Sequence, residues 1–318
     1  MHRSKTLTRT ALKALIRLGN LKFMRRCINK MKPLQNIKNL TPKNLLVILG
    51  PTASGKSELA VQIAQEIKGE IISADSRQVY KDLNIGTGKI TTEEMKEIPH
   101  HLISFLEIKE KFSAGAFKKK AEKIIREIQD RNKIPILCGG TGLFIDSVAR
   151  NYEIPRLKAQ EKFREKMEKL SREEIFDLLP ADLKKKHPEK EKRKMIRTLE
   201  LMEFKSKISP AKNKEKSFKP IFLGIHHKRE RLYERINIRT KKMFQEGILD
   251  ECKMLISKKL ENTPAASGIG YKEGILFLKK EMTLSESISE AQKRARNYAK
   301  RQITWFRRFT DIQWIDCE

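Results

Sequence analysis

Residues 45–59, "LLVILGPTASGKSEL", constrain this chain more than any other stretch: an apolar run, a glycine-containing turn and the opening of an amphipathic helix. Gly50-Pro51-Thr52-Ala53-Ser54-Gly55-Lys56-Ser57 fits the pattern G-x-x-x-x-G-K-[ST]. In such a loop the glycines let successive backbone N–H groups close around phosphate oxygens, and the helix that follows presents its positive end. Lys56 adds a point charge, and the Ser57 hydroxyl suits a Mg²⁺ position. A strand, loop and helix of this kind open a parallel α/β sheet. The motif leaves one question: which phosphate is held.

The chain continues the same pattern. "EIISAD" reads as a second strand, "AFKKKAEKIIREIQDRN" as an amphipathic helix and "IPILCGG" as a third strand. Strands alternating with helices imply parallel βαβ units with helices on both faces. Gly69, Pro99 and Pro135 punctuate them. After Arg150 the texture changes. Residues 153–212 are rich in Lys and Glu and carry helical spacing in "KFREKMEKLSREEIFDLL" and "KRKMIRTLELMEF", with no convincing strand. "SPAKNKEKS" reads as a return linker, "KPIFLGI" (219–225) as the core sheet resuming, and the remainder from Arg229 as mostly helix. The expected layout is a basic extension over 1–43, an α/β core over 44–152, an all-helical insertion over 153–212, and the return of the core over 213–318. No apolar run approaches the ~20 residues a membrane helix needs.

Charge narrows the partner. The formal net charge of the 318 residues is +29, which favours a polyanion, nucleic acid before an acidic membrane surface. No Asp or Glu precedes Glu58, while basic residues alternate with apolar ones from Arg3 onward. That start fits a transit peptide, a nucleic-acid-binding arm or translation begun upstream of the true start; composition leaves all three open. Towards the other end, Lys293, Arg296, Lys300 and Arg307 share one helical stripe, with Arg294, Arg301 and Arg308 beside it and no acid among them. Ala295, Tyr298, Ala299, Ile303, Trp305 and Phe306 occupy the other side, so a cationic face points outward from a helix packed on the core. Cys27, Cys138, Cys252 and Cys317 are scattered without C-x-x-C spacing, which argues against structural zinc and for free thiols in a reducing compartment.

Hydrolysis of ATP in a P-loop protein calls for a Mg²⁺-holding Asp at the end of another buried strand. The third strand instead ends "ILCGGTG". The acid at a core strand's C-terminal edge is Asp75, in "IISADSRQVY", where ligands of open α/β sheets bind. Its alternative use is as a helix N-cap assisted by Ser76. Two readings survive: a kinase of small acceptors, and a transferase whose donor carries diphosphate without being a nucleotide.

"DSRQVY" (75–80), followed by "DLNIGTGK" and "IPHHLI", is similar to the signature of the tRNA dimethylallyltransferases, or tRNA isopentenyltransferases, of bacterial type. So are "GPTASGKS", "GGTGLFIDS", "SGIGYKE" and "YAKRQITWFRR". The matches run in family order from about Leu45 to Trp314. The resemblance implies a P-loop fold with a helical insertion that clamps the tRNA anticodon stem-loop. It implies transfer of a dimethylallyl group from dimethylallyl diphosphate to N6 of adenosine 37, with Mg²⁺ as cofactor, by a monomer in the bacterial cytoplasm; a mitochondrial site is the alternative. Asp75 then corresponds to the general base, Thr141 to a residue orienting donor and base, and Arg239 to the arginine that neutralises the departing diphosphate, with Arg235 nearby. The loop Gly50 to Ser57 grips the diphosphate, Ser57 with its metal. Ser76, Arg77, Gln78, Lys89, Gly268, Gly270, Lys300, Arg301, Gln302 and Arg307 fall at tRNA-contact positions, as do Lys194 and Arg197 of the insertion. An adenylate isopentenyltransferase, a P-loop kinase and a non-catalytic RNA-binding protein are the competing readings.

The chain departs from the family pattern at Gly88, where Ala is usual, at Ile90, where Pro is common, and before "MIRTLE", where Glu191, Arg193 and Lys194 replace an Asn and two arginines. His100 and His101, adjacent on an extended segment, make a poor metal pair and read as packing or hydrogen-bonding residues. Cys138 reads as a small buried residue, and Trp305 and Phe306 as core.

Overall fold

The computed structural model describes residues 40–155, 157–188, 190–207 and 218–317. Most of the basic extension, including Cys27, lies outside them. The chain divides into two compact units, Met1–Tyr152 with Lys216–Glu318, and Glu153–Glu215.

The first unit is built on a six-stranded parallel sheet in the order β3-β2-β4-β1-β5-β6. Its strands are β1 (Asn44–Leu49), β2 (Gly69–Ala74), β3 (His100–His101), β4 (Ile134–Gly139), β5 (Lys219–His226) and β6 (Ile312–Asp316). The helices among them are α1 (Lys56–Ile67), α2 (Thr92–Met95), α3 (Ala114–Asp130) and α4 (Gly142–Ala149). Because side chains alternate along a strand, each strand feeds both faces. Leu45, Val47 and Leu49 of β1 pack with Phe117, Ala121 and Ile125 of α3 and with Phe144 of α4. Leu46 and Ile48 pack with Leu59, Ala60 and Ile63 of α1 on the opposite face. Both faces are covered, as the continuous apolar runs predict.

Two strands escaped the sequence reading. β6 pairs with β5 at an edge beyond the basic helix, and β3 is a two-residue pairing to β2. In β3, His100 Nδ1 bonds the Ile98 carbonyl (2.8 Å) and His101 Nε2 bonds Glu70 Oε2 (2.8 Å), the hydrogen-bonding role expected of both. Leu40, set apart with the extension, packs against the α1 face of the core. Cys138 and Cys252 are free and buried. Cys317 is disulfide-bonded, which corrects the expectation of free thiols throughout.

The second unit holds α5 (Glu161–Glu168), α6 (Arg172–Asp177), α7 (Ala181–Lys184) and α8 (Lys192–Glu203). Met167, Ile175, Leu179, Met195 and Ile196 form its own small core. Beside it, Glu200 is fully buried and accepts from Arg164, Arg197 and the Gln160 N–H. Burial alone would raise its carboxyl, but those donors bring it down to about 2.

The first unit is completed by α9 (Arg229–Glu246), α10 (Ile248–Ser257), α11 (Tyr271–Leu278) and α12 (Leu284–Phe306). Ala295 and Ala299 of α12 are buried with Leu232 and Ile236 of α9 and Ala53 of the phosphate loop. These small residues let α12 lie close to α9 and bring both helices to the loop. Among the described residues, no helix is long and apolar enough to cross a membrane.

Candidate active site

The sheet register brings the chemistry together. Leu49 of β1 and Ala74 of β2 both stand opposite Gly139 of β4, so the next residues, Gly50, Asp75 and Gly140, leave the sheet side by side. This is the carboxyl edge where open α/β sheets bind ligands.

In the phosphate loop Ala53 and Gly55 take positive φ (61° and 91°), turning backbone amides inward. Among the described residues no side chain caps the first turn of α1, whose N–H groups therefore face the loop's concavity. Lys56 Nζ donates to the Pro51 carbonyl (3.2 Å). Burial, then the nearby Arg239 charge, lower its pKa, against the raising pull of Cys138 and Asp75. Ser54 Oγ is buried and has no partner among the described residues, as a loop shaped for oxygen ligands would leave it. Ser57 follows Lys56 in the first turn of α1.

Asp75 holds its own turn: Oδ1 accepts from the N–H groups of Arg77 (2.8 Å) and Gln78 (3.3 Å). No helix starts here, so Asp75 closes a turn and is not a helix N-cap; the two bonds orient the carboxylate. Ser76 N–H donates to Thr141 Oγ1 (3.1 Å), and the Thr141 side chain lies near the Tyr298 phenol. Burial, then the Asp75 charge, push the Tyr298 phenol up to about 12. Two arginines of α9 close the other side. Arg235 Nε donates to the Ala53 carbonyl (2.8 Å). Arg239 is partly buried, with its guanidinium between Thr52 Oγ1 (3.5 Å) and the Gly88 carbonyl (3.0 Å). Burial lowers its pKa and the Asp75 charge offsets part of that. Lys56, Arg239, Asp75 and Tyr298 thus share one field.

Several residues expected at the RNA surface turn inward. Gln302 is 5% exposed; its Oε1 accepts from Thr52 N–H and its Nε2 donates to the Gly140 carbonyl, both at 2.8 Å. It braces the phosphate loop, and its amide is spent on that contact. The Gln78 amide is spent on Ser73 Oγ (3.2 Å) and the Gly88 carbonyl (3.1 Å). Lys89 donates to the Tyr80 carbonyl (2.6 Å) and Asn84 Oδ1 (2.8 Å), and burial lowers its pKa to about 8. Gly268 and Gly270 lack room for a Cβ because Tyr271 and Ile248 fill it, so the close approach they permit is internal. Arg77 binds the Pro264 carbonyl and Ser267 Oγ. In the second unit Arg197 braces Glu200 and the Pro155 and Leu157 carbonyls, while Lys194 stays exposed beside Glu191. On α12 and just beyond, Lys300, Arg301 and Arg307 are exposed. Trp305 donates to Asp146 Oδ2 (2.8 Å) and packs against the core. Tyr298 was missed as a site residue because helical spacing alone placed it among core residues.

The IPP transferase family model matches residues 78–309. The chain is 40% identical over 290 residues to the tRNA dimethylallyltransferase of Staphylococcus carnosus, covering 86% of this chain and 90% of that protein. It is 40% identical over 304 residues to that of Halothermothrix orenii, covering 90% and 92%. Among solved structures it is similar to the tRNA isopentenylpyrophosphate transferase of Bacillus halodurans (35% identity, TM-score 0.67, 86% of this chain and 90% of that chain). It is also similar to a eukaryotic dimethylallyltransferase acting on tRNA (28% identity, TM-score 0.70, 86% and 74%). The order of the motifs, the parallel sheet and the convergence of loop, carboxylate and arginines agree with these matches, and the chain belongs to the IPP transferase family of tRNA dimethylallyltransferases.

Proposed function

We propose that the protein transfers a dimethylallyl group from dimethylallyl diphosphate to N6 of adenosine 37 in the tRNA anticodon stem-loop, releasing diphosphate. The observation that carries this reading is the placement of Asp75 beside a phosphate loop flanked by Lys56 and Arg239, while β4 ends in glycines without the acid that ATP hydrolysis calls for.

The exocyclic amine of adenine is a poor nucleophile because its lone pair is delocalised into the ring. Asp75, held by the Arg77 and Gln78 amides, accepts the N6 proton as the N6–carbon bond forms, a contribution of about 10²–10⁴-fold. The allylic carbon–oxygen bond breaks, and the loop amides, Lys56 and Arg239 stabilise the charge that gathers on the departing diphosphate. Ser57 would hold Mg²⁺ together with diphosphate oxygens, and the ion, when bound, neutralises part of that charge. Thr141, bonded to the Ser76 amide, keeps the base's turn in register with the loop. Reaching N6 requires extruding the base from its stack, and the exposed Lys300, Arg301 and Arg307 supply the phosphate contacts that hold the RNA. The helical unit with its exposed Lys194 takes the anticodon stem. The protein acts as a monomer in a bacterial cytoplasm, and a mitochondrial site would require the basic extension to serve as a transit peptide.

The test incubates protein, Mg²⁺ and dimethylallyl diphosphate with an unmodified tRNA carrying adenosines at positions 36 to 38, and in parallel with AMP. Isopentenyladenosine mapped by nucleoside mass analysis to position 37, absent with Asp75→Ala, supports the proposal. Product from AMP alone would make it an adenylate isopentenyltransferase, and tight tRNA binding without turnover a binding protein.

A further inference from the structure

Among residues the mechanism above does not use, Glu251 leads back to it most directly. From α10 its Oε1 accepts the N–H groups of Asn84 (2.6 Å) and Ile85 (2.8 Å), and its Oε2 accepts Gly86 N–H (3.0 Å) and the Tyr271 hydroxyl (2.7 Å). Three consecutive amides converging on one carboxylate form an anion nest, here filled by the protein's own side chain. Charge-assisted bonds of this kind are the strong ones. The same carboxylate, after burial, raises the Tyr271 phenol, so that group stays a donor.

The nest is one end of a short rigid loop. Gly88 N–H donates to the Ile85 carbonyl, Lys89 N–H to the Asn84 carbonyl, and Thr87 Oγ1 to the Leu83 carbonyl. Lys89 ties its ammonium back to Tyr80 and Asn84. The other end is the Gly88 carbonyl, which accepts from Arg239 Nη2 (3.0 Å) and Gln78 Nε2 (3.1 Å). The loop's two glycines meet two side chains closely: a Cβ at Gly86 would lie 2.5 Å from Tyr271 Cζ, and one at Gly88 would lie 1.8 Å from Arg239 Nη2. Arg239's bond to Thr52 Oγ1 is 3.5 Å long, so the Gly88 carbonyl is its closer anchor. Whatever fixes that carbonyl fixes the guanidinium.

We infer that Glu251 is a positioning residue for prenyl transfer: by holding the 84–86 amides it sets the Gly88 carbonyl, and through it the direction in which Arg239 meets the leaving diphosphate. The inference rests on the leaving-group role of Arg239 given above.

The experiment is a double-mutant cycle on the full chain, measuring kcat and KM for dimethylallyl diphosphate and tRNA with wild type, Glu251→Gln, Arg239→Gln and the pair. Glutamine keeps the shape but loses the charge and one acceptor oxygen. Glu251→Gln is expected to lower kcat by about 10–100-fold, part of the about 10²–10³-fold that outright loss of an aimed transition-state donor costs, with the KM for tRNA within about twofold. In the Arg239→Gln background the same change should cost less than about twofold, because the two act as one unit. An undiminished loss in that background, or an unchanged kcat in Glu251→Gln alone, overturns the inference while leaving the function intact. An unchanged kcat in Arg239→Gln overturns the leaving-group reading itself. Should Glu251→Gln not fold, Tyr271→Phe enters the same cycle. It removes one bond to the carboxylate, and a kcat loss of about 3-fold that vanishes without Arg239 is the supporting result. A loss that persists without Arg239 refutes the inference.

Discussion

In the proposed reaction Asp75 does two jobs with one carboxylate. Oδ1 caps the turn that follows β2, which leaves the group pointed and ready to take a proton. Asp75→Asn keeps an acceptor oxygen for the cap but cannot serve as base. Single-turnover transfer should fall by about 10²–10⁴-fold, while donor affinity and the unfolding midpoint stay close to wild type. Gln302 makes the complementary case. Its amide supports the loop from behind, so Gln302→Glu, which cannot donate to Gly140 and sets a negative charge beside the loop, should raise the KM for dimethylallyl diphosphate about tenfold or more. The dissociation constant for tRNA should hardly move; a loss confined to tRNA affinity would restore the RNA-binding assignment. The sequence showed Gln302 only as a polar residue in a basic stretch. Its burial depends on Ala295 and Ala299 letting α12 approach α9, a packing fact that spacing along one helix does not carry. The same limit hid Tyr298, whereas Lys56 was legible from the motif and Asp75 from its strand-end position, and Arg239 only through the family resemblance.

Between elements, the tightest approach is at the ends of β2 and β4. A Cβ on Gly139 would lie 2.2 Å from the Ala74 carbonyl oxygen, and backbone cannot yield as a side-chain tip can. Gly139→Ala should destabilise the fold by about 1–3 kcal/mol or more, measured by denaturant unfolding. At the opposite edge Glu70 joins β2, β3, the end of α3 and the start of β4 through His101, Arg131 and Lys133. Burial would raise its carboxyl, but those three donors hold it at about 2, below the ordinary 4.5. A depressed carboxylate contributes stability in full above the unfolded value and loses it as pH falls through the folded one. The contribution should therefore fade between about pH 4.5 and pH 2, and Glu70→Gln should flatten the melting-temperature profile across that window. The βαβ alternation that builds these elements was legible from the apolar runs. β6 and β3 were not, since an edge strand needs its neighbour to define it and a two-residue pairing has no periodicity to read.

The whole molecule presents its positive charge to a polyanion. Replacing Lys300, Arg301 and Arg307 with alanine should weaken tRNA binding uniformly across sequences and reduce the salt slope by about one for each phosphate no longer neutralised, while steady-state transfer at saturating tRNA changes little. A salt slope equal to wild type would move the RNA to another face. At this scale the proposed function comes down to a loop that grips a prenyl diphosphate and not ATP. The most direct measurement is one reaction supplied with carbon-labelled dimethylallyl diphosphate, γ-phosphate-labelled ATP, Mg²⁺ and unmodified tRNA, followed by separation of the products. The expected result is the carbon label in tRNA and the phosphate label still in ATP, with both carbon transfer and donor binding abolished in Lys56→Ala. Phosphate label on an acceptor, or carbon transfer that occurs only as ATP is consumed, would contradict it.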